Sequence, residues 1–211
     1  IARLKMRPDG RPRTVISYMS IGEAETYRFY WRKDWNLDDM PGWHVAENCA
    51  WPEAHMVRYW HDGWKDIVYR GKRAYIKRIL DAGFDGVYLD RVDVYERQEN
   101  ERPTARADMI DFVTEMAATA RKINPKFLVI AQNAEDLLED KRYRDVIDGL
   151  GKEDMLFGHD GTGVRNKAPD IAWSHERLKR LMADWKPIFA VEYLEKKEQM
   201  DETRKELERL G

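Results

Sequence analysis

The sequence alternates between short runs of β-branched and aromatic residues and longer segments whose apolar residues recur with helical spacing. The short runs predict six strands. Five are at residues 14–19, 56–60, Gly86–Asp90, 127–131 and 188–193, and one more is bracketed by residues 146–150 and 155–157. Such alternation is typical of parallel βα units, and without a glycine-rich nucleotide fingerprint it favours a barrel over a doubly wound sheet. We therefore expect an α/β fold, a TIM-like (β/α)8 barrel lacking its first and last strands in this chain, with residues 1–211 as a single domain.

The segments between these strands predict helices and one long loop. Helical spacing and flanking turn residues predict helices at residues 64–80, 103–124, 136–143 and 196–210, and the end of a helix at residues 1–6. A further helix is predicted to begin at Ser174, which would cap it. A loop rich in turn residues is predicted at residues 36–53. Loops of this length are often functional.

The composition excludes several classes of protein. With 43% hydrophobic and 36% charged residues, the 211-residue chain can form a packed core with a solvated surface. The formal charge is −2, from 37 basic and 39 acidic residues that are interspersed, so there is no broad positive surface for nucleic acid. No apolar run approaches the roughly 20 residues of a membrane span. Cys49 is the only cysteine, which excludes an intrachain disulfide. We expect no nucleic-acid partner and no membrane span.

Two carboxylates at predicted strand ends suggest hydrolytic chemistry. Asp90 ends an apolar strand in which it shares a face with Tyr88, and Glu153 is followed by apolar residues. An apolar setting favours the protonated carboxyl group that a general acid requires. Glycoside hydrolysis uses two such groups, and the carboxyl ends of barrel strands meet on one face. From the residues alone, a structural role for Asp90 and a plain loop position for Glu153 remain open.

Further polar and aromatic residues near the predicted strand ends are candidates for substrate binding. Glu23 and Glu25 are two residues apart, so their side chains share a face in an extended segment. The two carboxylates either bind hydroxyl or amino groups of a substrate or are solvated charges. The tryptophans concentrated in the first third offer faces for sugar rings, but most of them are expected in the core. The five histidines are scattered, so a metal site would need partners from distant positions.

Five stretches of the chain occur in an order that points to a family. They are SYMSIGEAETYRFYW, VRYW, GFDGVYLDRVDVYE, VIAQNAEDLL and GKEDMLFG, within about residues 14–193. Together they resemble the endo-α-1,4-polygalactosaminidase family of glycoside hydrolases, family 114. The resemblance implies a TIM-like barrel, retaining hydrolysis of α-linked galactosamine or N-acetylgalactosamine polymers, no metal and no cofactor. It also implies a secreted or periplasmic location, since polysaccharides lie outside the cell.

The resemblance implies roles for individual residues. The aspartate of the family's strand-four motif corresponds to Asp90, as nucleophile, and the glutamate of its strand-six motif corresponds to Glu153, as acid/base. Substrate-binding positions correspond to Tyr18, Ser20, Glu23, Arg58, Asp93, Asn133 and Tyr193, and strand-end placement adds Trp60 and Arg91. We expect Arg91 and Asn133 to keep Asp90 ionised. Glu192 stands where the family more often has aspartate, and the family's first strand has no counterpart in this sequence.

Two other functions are compatible with these residues. One is a barrel that holds an amino-sugar polymer without cleaving it. The other is a metal-dependent hydrolase or deacetylase that uses the histidines.

Overall fold

The first of two compact units contains five complete strands among its described residues. The structure, a computed structural model, describes residues 1–35 and 39–211, which divide into Ile1–Val129 and Ile130–Gly211. The strands of the first unit are β1 (Ile16–Ser20), β2 (Glu23–Glu25), β3 (His44–Glu47), β4 (Ala54–Val57) and β5 (Gly86–Asp90). β1 and β5 are parallel, and Ser20 pairs with Asp90 at their ends. The carboxyl ends of these two strands therefore lie at the same level.

The other three strands of this unit form an antiparallel sheet in the order β2-β4-β3. The prediction of a parallel strand at residues 56–60 is therefore wrong, because β4 begins at Ala54, ends at Val57 and pairs antiparallel on both sides. A short apolar run carries no information about the direction of its partners. The predicted loop at 36–53 contains β3, and residues 36–38 lie outside the described residues.

The helices of the first unit are α1 (Asp62–Lys65), α2 (Tyr75–Asp81), α3 (Tyr95–Gln98) and α4 (Ala105–Ile123). The single helix predicted at 64–80 is interrupted, since α1 continues as a π-helical segment, Asp66–Arg70, and a turn precedes α2. The helix predicted at residues 1–6 is absent. Residues 2–5 are turns and Met6 bridges to Pro12, because so short a segment cannot offset the cost of helix nucleation without a packed face.

Aromatic side chains fill the core of the first unit. The indole of fully buried Trp64 donates a hydrogen bond to the carbonyl oxygen of Ile21 at 2.8 Å, and the hydroxyl of buried Tyr59 donates to that of Ala105 at 2.7 Å. Buried polar atoms need such partners. The core position is confirmed for Trp43 and Trp64 but not for most of the six tryptophans of the first third. Trp51 is exposed, and partial exposure is found for Trp31, Trp35 and Trp60.

The second unit continues the parallel pattern. Strand β6 (Leu128–Gln132) begins in the first unit and ends in the second. The later elements are α5 (Lys141–Val146), β7 (Gly149–Glu153), β8 (Phe157–Gly158), β9 (Gly161–Arg165), α6 (Ala168–Ala183), β10 (Ile188–Val191) and α7 (Lys197–Leu210). β7 is parallel to both of its neighbours, β6 and β10, and β8 pairs antiparallel with β9.

The parallel strands have the order β1-β5-β6-β7-β10. Helices separate them in sequence, which confirms the predicted α/β class. Five parallel strands are found among the described residues, not the six predicted, because β4 belongs to the antiparallel sheet.

Two helix predictions in the second unit need correction. The segment predicted at 136–143 is a 3-10 turn, Glu135–Glu139, followed by α5. Ser174 does not cap a helix, since α6 begins at Ala168 with a proline in its first turn. Within the described part of the chain, none of the helices combines the length and apolar character that crossing a membrane requires.

Candidate active site

Three consecutive strands of the parallel sheet are each followed by a residue with a left-handed backbone. These residues are Arg91 (φ 60°), Asn133 (φ 53°) and Asp154 (φ 52°). The conformation costs a residue with a side chain roughly 1–2 kcal/mol, and such strain is concentrated at functional sites. It turns the chain directly after the last residue of each strand, which is Asp90, Gln132 or Glu153.

Asp90 is held by two hydrogen bonds within the first unit. The backbone N–H of Arg91 donates to Oδ1 at 2.7 Å, and the hydroxyl of Tyr18 donates to Oδ2. Tyr18 lies on β1, two residues before the partner of Asp90 in the strand register. Both bonds favour the ionised carboxylate.

Burial nevertheless raises the pKa of Asp90 above the usual aspartate value, because desolvation outweighs these two bonds. The negative charge of Asp93, which lies in the 3-10 turn Val92–Val94, also raises this pKa, whereas the charge of Arg91 lowers it. Burial, together with the bond to Asp90, raises the pKa of Tyr18 well above its usual range. Tyr18 is therefore a protonated donor at neutral pH.

The guanidinium of Arg91 is directed to Glu23. Its Nη2 lies 2.8 Å from Glu23 Oε1, which also accepts a hydrogen bond from Asn48 Nδ2 at 2.8 Å. Ser20 donates to the carbonyl oxygen of Glu23 at 3.0 Å, and both residues are buried. Ser20 and Glu23, predicted as substrate contacts, thus support the loop that carries Arg91.

Glu25 is buried at the other end of β2. Arg28 Nε donates to its Oε2 at 2.5 Å, and the hydroxyl of Tyr27 donates to its Oε1. The alternative that Glu23 and Glu25 are solvated charges is therefore wrong, since each carboxylate is bonded inside the protein.

In the second unit, Glu153 is held by side chains from two segments. Tyr193 donates its hydroxyl to Oε1 at 2.5 Å, and Gln132 donates its Nε2 to Oε2. Asn133 Nδ2 lies 3.4 Å from Oε2, and its Oδ1 accepts the backbone N–H of Glu153 at 3.0 Å. The expected role of Asn133 toward Asp90 is thereby corrected, because its amide is used by Glu153. Both oxygens of Glu153 are fixed in position.

A buried ion pair lies beside Glu153 on the same strand. Lys152 Nζ is 3.1 Å from Glu135 Oε1, which also accepts a hydrogen bond from Ser174 Oγ at 2.7 Å. Lys152 and Glu135 are both buried. Successive side chains on a strand point to opposite faces, so Lys152 anchors the face of β7 opposite to Glu153.

The loop after β7 is fixed by two side chains. The carboxylate of Glu192 accepts the backbone N–H groups of Leu156 at 2.7 Å and Phe157 at 3.2 Å. Burial raises the pKa of Glu192, and these two bonds partly offset that effect. Asn166 donates to the carbonyl oxygen of Asp154 at 2.7 Å. The loop that begins at Glu153 is therefore held at both of its ends.

Arg58 and Trp60 follow β4 of the antiparallel sheet. Arg58 Nε is 2.9 Å from Glu101 Oε1, and its Nη1 is 2.9 Å from the carbonyl oxygen of His44. The guanidinium of Arg102 lies 5.1 Å from the centre of the Trp60 ring. These contacts do not test whether Arg58 and Trp60 bind substrate, and that role stays a prediction.

Sequence reasoning missed several residues that support the two carboxylates. Gln132 had the same signal as Asp90, a polar residue ending an apolar strand, but the predicted strand ended one residue too early at 131. Asn48 had no local signal, because its partner is distant in sequence. Glu135 had the signal of a polar residue after a strand end, but its pairing with Lys152 could not be read from the sequence.

The histidines do not form a metal centre with acidic or sulfur ligands. Throughout residues 1–35 and 39–211, no three or more His, Cys, Asp and Glu side chains are grouped to hold a metal ion. His44 Nε2 and His55 Nδ1 lie 3.0 Å apart, and burial lowers the pKa of both.

Comparison with known proteins identifies a family. The sequence model of glycoside-hydrolase family GH114 matches residues 4–210. An uncharacterized protein of Deinococcus radiodurans is 36% identical over 196 residues, which cover 90% of this chain and 59% of that protein. An uncharacterized protein of Methanocaldococcus jannaschii is 37% identical over 204 residues, which cover 92% of this chain and 56% of that protein. One of Thermotoga maritima is 38% identical over 148 residues, which cover 67% of this chain and 44% of that protein. The chain thus spans about half the length of these relatives.

A solved structure shares the fold. The glycoside hydrolase domain of PelA from Pseudomonas aeruginosa aligns with a TM-score of 0.68 and 21% identity, covering 93% of this chain and 73% of that one. A variant of the same domain aligns with a TM-score of 0.66 and 20% identity, covering 93% and 74%.

Proposed function

The chain belongs to glycoside-hydrolase family GH114, and on this premise we propose that it is a retaining glycosidase acting on polymers of α-linked galactosamine or N-acetylgalactosamine. One observation carries the proposal. Asp90 and Glu153 each end a parallel strand, and each accepts a hydrogen bond from a tyrosine hydroxyl. Two carboxyl groups are what this chemistry requires.

In the proposed first step, the Asp90 carboxylate attacks the anomeric carbon of one sugar. The bond from that carbon to the glycosidic oxygen breaks, and Glu153 gives its proton to the departing oxygen. In the second step, Glu153 takes a proton from water while the water oxygen attacks the same carbon and releases Asp90. Two inversions give overall retention of the α-configuration.

The hydrogen bonds around each carboxylate suit these roles. The N–H of Arg91 and the hydroxyl of Tyr18 stabilise the negative charge that returns to Asp90 when it leaves the anomeric carbon. Tyr193, Gln132 and Asn133 donate to the oxygens of Glu153 and fix the position of its carboxyl group for proton transfer.

The charge around Asp90 supports an amino sugar as substrate. Ion pairs neutralise Glu23 by Arg91 and Glu25 by Arg28. Asp90 and Asp93 then supply an excess of negative charge, which would attract the ammonium group of galactosamine. The proposed partner is therefore an amino-sugar polysaccharide or oligosaccharide, met in a secreted or periplasmic location. Cell fractionation with antibody detection would test the location, and recovery of the protein in the cytoplasmic fraction alone would contradict it.

The test is hydrolysis of an α-1,4-galactosamine polymer and its N-acetylated form, followed by reducing-end release and mass spectrometry. We expect Asp90→Asn and Glu153→Gln each to lower turnover by about three orders of magnitude or more. NMR of the first products should show the α-anomer. The matched controls are Asp81→Asn and Glu176→Gln, which change exposed helical carboxylates and should leave turnover unchanged.

Four outcomes would contradict the proposal. Full activity of either active-site variant would refute the assigned residues, and a first product with the β-configuration would refute retention. Polymer binding without release of reducing ends by the unmodified protein would favour a non-catalytic binding barrel. Loss of activity on chelation, restored by added metal, would favour a metal-dependent hydrolase or deacetylase.

A further inference from the structure

An exposed tyrosine near Asp90 is unusually well fixed. The Tyr27 ring is 62% exposed, yet its hydroxyl donates to the carboxylate of Glu25, which is 6% exposed. Burial and this bond raise the pKa of Tyr27 to about 12. The backbone N–H of Glu25 donates to the Tyr30 hydroxyl at 3.1 Å, which fixes the acceptor in turn. The exposed ring is thus tethered to a buried anchor.

Arg28 links this ring to the candidate nucleophile. The guanidinium carbon of Arg28 lies 5.1 Å from the centre of the Tyr27 ring and 5.7 Å from that of Tyr18. Tyr18, whose hydroxyl bonds to Asp90, is itself 43% exposed. A cation near an aromatic ring is attracted to its π-electrons, so both rings are held in position by one guanidinium. Two exposed aromatic rings therefore flank Arg28 in the same unit as Asp90.

Such an arrangement suits a sugar ring. Aromatic faces pack against the C–H groups of a pyranose, and a ring that is already immobilised loses little conformational entropy on binding. A guanidinium has five N–H donors, and the Nε–H of Arg28 is used by Glu25. Its other N–H groups, some of which also interact with the hydroxyls of Tyr27 and Tyr75, match the hydroxyl or acetamido oxygens of a sugar.

We propose that Tyr27, Tyr18 and Arg28 form a binding subsite for a neutral pyranose, such as an N-acetylated hexosamine, next to the sugar attacked by Asp90. The ion pair of Arg28 with Glu25 leaves this position without net charge, so it offers no attraction to a sugar ammonium group. The excess negative charge of Asp90 and Asp93 favours one at the neighbouring position. The inference rests on the proposed function, which supplies the polymer. It adds a subsite at which N-acetylation of the bound sugar affects binding.

The test is a binding titration by calorimetry in the Asp90→Asn background, with α-1,4-galactosamine tetrasaccharides in fully N-acetylated and free-amine forms. Tyr27→Ala should weaken binding of the acetylated form by about tenfold. Tyr27→Phe keeps the ring, so its dissociation constant should stay within about threefold of that of the unmodified protein. Tyr27→Ala should weaken binding of the free-amine form less than binding of the acetylated form. Melting temperature and circular dichroism should report unchanged folding, since the ring is mostly exposed.

Trp185→Ala is the matched control. Trp185 is 95% exposed and precedes the amino end of β10. Its replacement should leave both dissociation constants unchanged. An equal loss of affinity in Tyr27→Ala and Trp185→Ala would overturn the subsite.

The subsite and the proposed function fail differently. Unchanged affinity of folded Tyr27→Ala, while the unmodified protein cleaves the polymer, overturns the subsite and leaves the glycosidase assignment intact. Equal losses for the acetylated and free-amine forms overturn the stated preference for a neutral sugar. If the unmodified protein neither binds nor cleaves any member of the panel, the proposed substrate fails and the subsite fails with it.

Discussion

The hydroxyl of Tyr18 donates a hydrogen bond to Oδ2 of Asp90, so a side chain from strand β1 supports a carboxylate on the neighbouring strand β5. The bond opposes the effect of burial on the pKa of Asp90. Because a nucleophilic carboxylate must be ionised, this one contact is expected to set part of the pH dependence of activity.

We predict that Tyr18→Phe moves the acid limb of the kcat/KM profile upward. A hydrogen bond to a charged group contributes about 1.5–3 kcal/mol, which corresponds to about one to two pKa units. Activity in the unmodified protein should fall as pH drops through a value above the usual aspartate pKa, since burial raises the pKa of Asp90. Without Tyr18, that loss should begin at a higher pH.

Asp93→Asn is the matched variant, for which we expect the acid limb to shift in the opposite direction. It removes a negative charge that raises the pKa of Asp90, so the acid limb should move downward. The profiles are measured with a soluble oligosaccharide at substrate concentrations below KM. Movement of both variants in the same direction would show that Asp90 does not govern this limb.

A second prediction concerns stability. The folded state raises the pKa of Asp90, so the contribution of this group to stability is lost as pH rises through that pKa. Asp90→Asn should therefore have a higher free energy of unfolding than the unmodified protein at pH 7, and the difference should vanish in acid. Urea titrations at several pH values would measure this.

Asp85→Asn provides the reverse case. Burial would raise the pKa of Asp85, but hydrogen bonds from Lys5 and Val15 lower it overall. Its replacement should lower the free energy of unfolding at pH 7. This destabilisation should become smaller as pH falls through the lowered pKa of Asp85. If Asp90→Asn were instead the less stable variant at neutral pH, the hydrogen bonds of Asp90 would outweigh its burial.

A third prediction tests the buried ion pair Lys152–Glu135. Glu135→Gln leaves the Lys152 ammonium without a carboxylate partner, and breaking a buried pair costs about 3–5 kcal/mol. The double variant Glu135→Leu with Lys152→Met should recover most of this loss in chemical denaturation. The exposed pair of Glu176 and Lys179 serves as a control, where Glu176→Gln should leave the free energy of unfolding nearly unchanged.

The double variant also separates stability from catalysis. If Lys152 acts only by packing, turnover should recover with stability. A stable double variant that remained inactive would instead show that the charge of Lys152 influences the neighbouring Glu153 directly.

A fourth prediction concerns Gly22, between β1 and β2. A Cβ atom at this position would overlap the carbonyl oxygen of Arg91 and lie 2.5 Å and 2.8 Å from the γ-carbons of Val94. Gly22→Ala should therefore destabilise the protein by about 1–3 kcal/mol and lower activity, since it displaces the residue whose N–H binds Asp90.

Gly42→Ala is a suitable control, because the nearest atoms to an added Cβ belong to the exposed ring of His61. That ring can move, so thermal unfolding should show a small effect. A fully stable and active Gly22→Ala variant would indicate that the turn before β2 can shift without moving Arg91.

The sequence allowed Asp90 to be predicted more directly than Glu153. The strand GVYLD alternates with a period of two residues and ends at the carboxylate, so residue type and position agree. Strand β7 reads GLGKE, with two glycines and a lysine, and has little local strand preference. Its buried Lys152 is stabilised by Glu135 from another segment, which periodicity cannot reveal.

Long-range pairing explains most of the remaining differences. The run at β4 predicts a strand, but whether its partners are parallel depends on residues far along the chain. Likewise, nothing local indicates a left-handed conformation at Arg91. Asparagine and aspartate are enriched there, so Asn133 and Asp154 fit that preference, whereas Arg91 is held by its pair with Glu23.

The left-handed residues after β5, β6 and β7 have a consequence for protein engineering. Because each one redirects the chain at once, the carboxylates take their position from the strands, and the segments beyond the turns contribute less to it. Those distal segments should accept insertions or grafted sequences that recognise other sugars, provided that Arg91, Asn133 and Asp154 are retained together with Asp93, Glu135 and the loop contacts of Glu192. Libraries for altered specificity are best confined to them.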